Sequence, residues 1–170
     1  LSQFEMLETD PGALRLAVKY PDAIRIPEGG ATMALTIKRK ADGTVLMEEK
    51  LAFEETESKA DKAELSQELQ TGYRLEIYRI PEENVPFFRS FQKHMASMSK
   101  SDREKVEGSL SIGVTGCLLT DEKPSEIRVS TFLKAAELGG FITLVRNFDL
   151  EEQMAEIGGE GALERCPDAV

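Results

Sequence analysis

Apolar and polar residues alternate along most of the chain, which is the pattern of strands that bury one face and expose the other. In one segment, for example, Met33, Leu35 and Ile37 alternate with threonine, alanine and lysine. The Asp42-Gly43 step that follows it is typical of a tight hairpin turn. The predicted strands, one of them a short extended piece, are Ala13–Tyr20, Ala23–Ile26, Ala31–Lys40, Val45–Phe53, Tyr73–Ile80, Ser109–Leu119, Glu126–Lys134 and Phe141–Arg146.

The segment Glu54–Gln70 is ambiguous, because its first part is acidic and contains few apolar residues. Leu65 and Leu69 fit one face of a helix, and they also fit a strand that leads into a turn at Thr71-Gly72. Since the strand after this turn is well defined, we predict a hairpin here rather than a helix.

A central helix is predicted over Val85–Met98. Its broad apolar face is formed by Phe87, Phe88, Phe91, Met95 and Met98. A second, short helix is predicted over Asp102–Glu107, because Ser101 and Glu104 match a capping box and Gly108 would end the helix.

A last helix is predicted after Asp149, which can cap it together with Glu152 three residues further on. Its apolar side and its end are given by Leu150, Met154, Ile157 and Gly158. The helical periodicity of the apolar residues places them on one side of this helix.

About seven or eight closely spaced strands, a central inserted helix and a short C-terminal helix predict a fold that is mainly β, and α+β by content. Because long helices rarely separate the strands, the pattern favours an antiparallel sandwich over parallel βαβ units. We predict an immunoglobulin-like β-sandwich, with a small β-barrel as the alternative. The 170 residues are expected to form one domain with loosely ordered ends at 1–12 and 159–170.

Charge is distributed unevenly along the chain, which has 31 acidic and 21 basic residues and a formal net charge of −10. The segments Glu48–Glu68 and Asp149–Val170 have net charges of −5 and −6, so the remaining residues have a net charge of +1. Although the central helices are locally basic, acids are interspersed among the bases and no strand carries an aromatic-basic motif. We therefore expect no nucleic-acid partner.

The sequence contains few residues in a spacing that indicates catalytic chemistry. The single histidine, His94, is not part of a spacing that matches a catalytic triad, so a small hydrolase using His94 as a general base is a minor alternative to a surface histidine. Two cysteines and one histidine, far apart in sequence, do not predict a zinc site. We expect no catalytic residue, metal or cofactor.

The two cysteines, Cys117 and Cys166, can form a disulfide that would join the C-terminal tail to a strand. Such a bond would close a loop of about 50 residues and contribute up to roughly 4 kcal/mol by chain entropy. The alternative is two unrelated thiols, one buried and one exposed. The disulfide hypothesis depends on an oxidising compartment.

The central helix offers a candidate ligand or partner surface. It consists of Phe87, Phe88, Phe91, His94, Met95 and Met98. Adaptable, methionine-rich surfaces of this kind can bind peptides or lipids. The alternative is that the same face is part of the core.

No apolar run approaches the roughly 18 residues that span a bilayer. The first residue, Leu1, is not methionine, and signal-peptide removal or excision from a longer chain would account for that. We therefore expect an exported protein, periplasmic or extracellular. The leading hypothesis is a non-catalytic envelope module for binding or assembly, with protein or lipid as its partner, and the first alternative is a small-ligand or lipid carrier that uses helix 85–98.

Overall fold

Ten strands and four α-helices make up the computed structural model, which describes residues 8–156 and 163–167. The strands are β1 Arg15–Pro21, β2 Ile24–Arg25, β3 Ala31–Arg39, β4 Val45–Ala52, β5 Glu54–Glu55, β6 Tyr73–Arg79, β7 Val106–Val114, β8 Cys117–Leu118, β9 Arg128–Ala135 and β10 Gly140–Asp149. The helices are α1 Lys59–Glu64, α2 Val85–Ser97, α3 Lys100–Glu104 and α4 Leu150–Glu156.

The strands form a five-stranded sheet in the order β10-β9-β1-β6-β5, a three-stranded sheet in the order β4-β3-β7, and the pair β2-β8. All of the pairings between named strands are antiparallel. The fold is therefore mainly β with antiparallel sheets, as predicted. Within the described residues the sheets do not close into a barrel, so the barrel alternative is wrong.

The main core lies between the two larger sheets, because alternate residues of β1 and β3 point into the same apolar cluster. These fully buried side chains include Leu16, Val18, Met33 and Leu35. Helix α2 adds aromatic and methionine side chains to this cluster. The period-two pattern of β3 is thus explained by burial of one face, and in β1 the same pattern identifies the residues that point into the main core.

A second, smaller core covers the opposite face of the five-stranded sheet and corrects the prediction for Glu54–Gln70. This segment contains only the two-residue strand β5, followed by α1 and a 3-10 turn at Ser66–Glu68, so the predicted hairpin is wrong. The reason is that β1, β6 and β9 have apolar residues on both faces, and Leu65 packs over them with Leu75, Ile77 and Phe132.

The second short helix, α3, begins and ends earlier than predicted. Ser99, not Ser101, caps α3, since its Oγ accepts a 3.1 Å hydrogen bond from the Asp102 amide. Gly108 does not end a helix but lies in β7 opposite Ile37. Pairing with the whole length of β3 takes residues 106–108 into the sheet.

The segment predicted as one strand, Ser109–Leu119, is divided between β7 and β8. Gly116 lies at the break, where an added Cβ would be 3.1 Å from Leu150 Cδ2 and 3.3 Å from Ile24 Cδ1. The glycine therefore permits the close packing of α4 and β2 at this point.

The predicted cap of the C-terminal helix is confirmed. The Glu152 amide donates a 3.2 Å hydrogen bond to Asp149 Oδ1 at the start of α4. Leu150 is fully buried, and Met154 packs against the core. Ile157 and Gly158, also assigned to this helix, lie outside the described residues, as does much of the two end segments.

Candidate functional site

The apolar face of α2 divides into a buried part and an accessible part. Phe88, Phe91 and Met95 are at most 5% exposed and belong to the main core. Of the predicted surface, only Phe87, His94 and Met98 remain accessible to a ligand or partner.

His94 lies on the exposed side of α2. Among the described residues, no carboxylate bonds to its imidazole ring. The Ser97 hydroxyl donates a 2.7 Å hydrogen bond to the backbone carbonyl of His94. The arrangement that a general-base histidine requires, an imidazole held by a carboxylate inside a cleft, is not formed by these residues.

Met98 lines a cavity of about 610 Å³ that we call the basic groove. The groove lies where the end of β3 approaches α3 and the start of β7. Its lining residues are Arg39, Lys40, Ala41, Met98, Asp102, Lys105 and Val106. The volume is in the range of small-molecule sites, about 300–1,000 Å³.

Backbone contacts hold the two walls of the groove together. The Lys40 amide donates a 2.9 Å hydrogen bond to the Lys105 carbonyl, and Arg39 is paired with Val106 in the β3–β7 register. Arg103 Nη2 donates to the Met95 carbonyl at 2.9 Å and so fixes α3 against α2. The side chains of the groove thus project from a framework that is tied by hydrogen bonds.

The groove combines apolar side chains with cationic ones. Arg39 forms a 3.1 Å ion pair with Asp42, whose pKa is lowered chiefly by the Thr44 amide that donates to it. Lys40 and Lys105 have no carboxylate within salt-bridge distance among the described residues. Two ammonium groups are therefore available to an anion beside the apolar surface of Met98.

A second polar cluster, which the sequence did not reveal, joins three strands of the five-stranded sheet. The Tyr20 hydroxyl donates a 2.7 Å hydrogen bond to Glu76 Oε1. A hydrogen bond with Glu76, together with partial burial and repulsion from Glu76 and Glu57, raises the pKa of Glu55 to about 7. Burial raises the pKa of Tyr20 and of Tyr78, which lies opposite Glu55 in the β5–β6 register.

This cluster borders a cavity of about 650 Å³ whose other acids include Glu28, Glu54 and Glu83. The cavity wall is therefore strongly acidic, and its lining residues include no lysine, arginine or histidine. Because the raised pKa of Glu55 lies near neutral pH, we expect the protonation of this cluster, and with it the stability of the fold, to change in that pH range. No sequence pattern indicated it, because it depends on the pairing of the two-residue strand β5 with β6.

Of the two alternatives for the cysteines, the structure contains the disulfide. Cys117 and Cys166, which are 49 positions apart in sequence, are bonded. Around the bond, the Leu118 amide donates to the Glu164 carbonyl and the Cys166 amide donates to the Leu118 carbonyl, both at 2.8 Å. The segment 163–167 is thereby joined to β8, and Leu163 is buried in the main core.

Comparison with known proteins gives no relative: no family model, no curated protein and no solved structure matches the chain. Within residues 8–156 and 163–167, no helix has the length and apolar character needed to cross a membrane. The same residues contain no group of three or more side chains suited to binding a metal ion.

Proposed function

We propose that this protein is a non-catalytic binding module, and that its ligand is an anionic amphiphile with a single acyl chain. The basic groove is the proposed site. Met98, Val106 and Ala41 would contact the chain, while Lys40 and Lys105 would bind the anionic head group. Asp102, also in the lining, would disfavour a second negative charge at its end of the groove.

One observation supports this proposal above the others: an apolar cavity coincides with unpaired ammonium groups in a chain whose net charge is −10. Unpaired lysines beside an apolar surface favour a ligand that has both characters, since a purely apolar ligand gains nothing from them. A charge-assisted hydrogen bond contributes about 1.5–3 kcal/mol, enough to select an anion over a cation.

We also propose a cellular compartment and a sandwich architecture for this protein. A disulfide that joins the C-terminal segment to the sheets is expected in an oxidising compartment, which supports an exported protein in the periplasm or outside the cell. Two antiparallel sheets that share one core support an immunoglobulin-like sandwich with an inserted helix. The anionic amphiphile would then be bound at one end of that sandwich.

The test is calorimetric titration with dodecanoate below its critical micelle concentration. We expect Lys105→Glu to weaken binding by roughly tenfold or more, which corresponds to the loss of one charge-assisted contact. Lys59→Glu, the same charge change at an exposed position of α1, is the control and should alter the affinity less than twofold.

A control ligand separates the contribution of the head-group charge to binding from that of the ligand's alkyl chain. Dodecyltrimethylammonium has a chain of nearly the same length with a cationic head, and it should bind far more weakly than dodecanoate. Equal binding of the two amphiphiles, or equal affinities of the Lys105→Glu and Lys59→Glu variants, would overturn the proposal. Absence of dodecanoate binding at millimolar concentration would overturn it as well.

A further inference from the structure

Strand β4 lies at a free edge of the three-stranded sheet, and its pairing with β3 is regular from Met47 to Ala52, after an irregularity between Val45 and Met47. Among the described residues it pairs only with β3. Val45 and Leu46 at its start are 48% and 47% exposed, and no residue of β4 is fully buried. Unpaired edges of this length are sites where another strand can add.

The hydrogen bonds to β3 determine which groups of β4 are free. The Phe53 amide donates to the Ala31 carbonyl at 2.9 Å, so these two opposed residues form a hydrogen-bonded pair. Because such pairs alternate along an antiparallel ladder, Leu51 and Glu49 also direct their backbone groups toward β3. The amides and carbonyls of Glu48, Lys50 and Ala52 therefore point outward from the sheet.

The charges along this edge are complementary to a second copy of the same edge in one antiparallel register. In that register Glu48 of one chain lies opposite Lys50 of the other, twice by symmetry, and both residues have outward backbone groups. Met47 would lie opposite Leu51, and both already pack against the main core. Shifting the pairing by two residues in either direction would place Glu48 opposite Glu48, or Lys50 opposite Lys50.

We propose that the protein forms a two-fold symmetric homodimer through antiparallel pairing of β4 with β4, with Glu48 and Lys50 setting the register. The occupant of the free edge is thus a second copy of this chain. The two three-stranded sheets become one six-stranded sheet, and Glu49 meets Glu49 at the two-fold axis. This inference is independent of the basic groove, which shares no residue with β4.

The Glu49 pair limits the strength of the dimer, because like charges directly opposite each other on a sheet are destabilising. The interface is also expected to bury less surface than the roughly 1,200–2,000 Å² of a standard complex, since it consists mainly of one strand. We therefore expect a dimer of modest affinity that is strengthened several-fold by Glu49→Gln.

The test is sedimentation equilibrium of the whole chain over a wide concentration range. Glu48→Lys and Lys50→Glu should each weaken dimerisation by about tenfold or more, because each puts like charges opposite each other twice. The double variant Glu48→Lys/Lys50→Glu should restore it, and an equimolar mixture of the two single variants should form heterodimers. Glu107→Lys on β7, at the other edge of the same sheet, is the control and should dimerise like the original chain.

An engineered disulfide between the two copies of β4 tests the register directly. Glu49→Cys places two thiols in a non-hydrogen-bonded pair with Cα atoms about 4.5 Å apart, within disulfide range. Lys50→Cys places them diagonally at about 7 Å or more. The first variant should give a disulfide-linked dimer on mild oxidation, and the second should not. A monomer at millimolar concentration, failure of the charge swap to restore the dimer, or equal cross-linking of both variants would overturn the proposal.

Discussion

The Tyr20 hydroxyl and the Glu76 carboxylate are joined by a 2.7 Å hydrogen bond between neighbouring strands, β1 and β6. The carboxyl group of Glu55, on β5, also interacts with the Glu76 carboxylate. A hydrogen bond with Glu76 is the largest cause that raises the pKa of Glu55, to about 7. In its protonated form Glu55 can donate a hydrogen bond to Glu76 at the edge of the five-stranded sheet, where the buried Tyr78 lies opposite Glu55.

The raised pKa of Glu55 predicts how stability changes with pH. The folded chain binds this proton more tightly than the unfolded chain, so the stabilisation is fully present below the ordinary glutamate pKa of about 4.3. It is lost as the pH rises through about 7. Because Glu55 is largely exposed to solvent, we expect a loss of about 1 kcal/mol or less.

Urea unfolding at pH 5 and pH 8.5 measures this effect. Glu55→Gln should reduce the difference between the two pH values, because it removes the titrating group while keeping a hydrogen-bonding side chain. Glu122→Gln, in an exposed loop, is the control and should leave the difference unchanged. Identical pH profiles for the original chain and Glu55→Gln would show that the protonation of Glu55 does not contribute to stability.

Removal of the disulfide should destabilise the fold. The variant Cys117→Ala/Cys166→Ala loses a cross-link that spans 49 positions, which corresponds to roughly 2–4 kcal/mol of unfolding free energy. Chemical denaturation of the original chain with and without reductant, compared with the double variant, gives the value. If reductant lowers the stability of the double variant as well, the effect does not arise from this bond.

Two adjacent phenylalanines on α2 lie in different environments, one in the core and one at the surface. Phe88 is fully buried while Phe87 is 39% exposed. Phe88→Ala should therefore cost about 3–5 kcal/mol of unfolding free energy, and Phe87→Ala about 0.5 kcal/mol or less. Equal losses in thermal or urea unfolding would mean that this face of α2 does not pack as described.

The pair Leu65 and Leu69 gives a similar comparison on the other side of the five-stranded sheet. Leu65 is 7% exposed within the second core, and Leu69 is 63% exposed. Leu65→Ala should cost about 2–4 kcal/mol and Leu69→Ala less than about 1 kcal/mol. Similar losses for the two variants would contradict the helical assignment of this segment, because a strand or a longer helix would bury them alike.

These two leucines also show where prediction from the sequence stops. Alternation located β1, β3 and β6 because every second residue of each strand packs into one of the two cores, and it located β4 because Met47 and Leu51 pack against the main core. The need to cover the second face of the five-stranded sheet comes from the pairing of β1 with β6 and β9, which are distant in sequence. For that reason the pattern at Leu65 and Leu69 did not distinguish a helix from a strand.

The candidate site, too, could be predicted from the sequence only in part, because it depends on contacts between residues that are distant in sequence. The apolar residues of helix 85–98 were visible in the sequence, but their division between core and surface depends on where the sheets lie. Lys40 and Lys105 are brought together by the pairing of β3 with β7, and no local motif connects them. The disulfide was predictable as a pairing of two cysteines, and the structure shows that the bond joins β8 to the C-terminal segment.

Methyl NMR of protein labelled at its methionine methyl groups tests the ligand site most directly. The chain has six methionines; Met98 lines the basic groove, whereas Met33 is fully buried in the core and Met154 lies on α4. Titration with dodecanoate should shift the Met98 methyl signal and leave those of Met33 and Met154 in place. A Met98 signal that does not move while dodecanoate binds, or a larger shift at Met154, would contradict the proposed site.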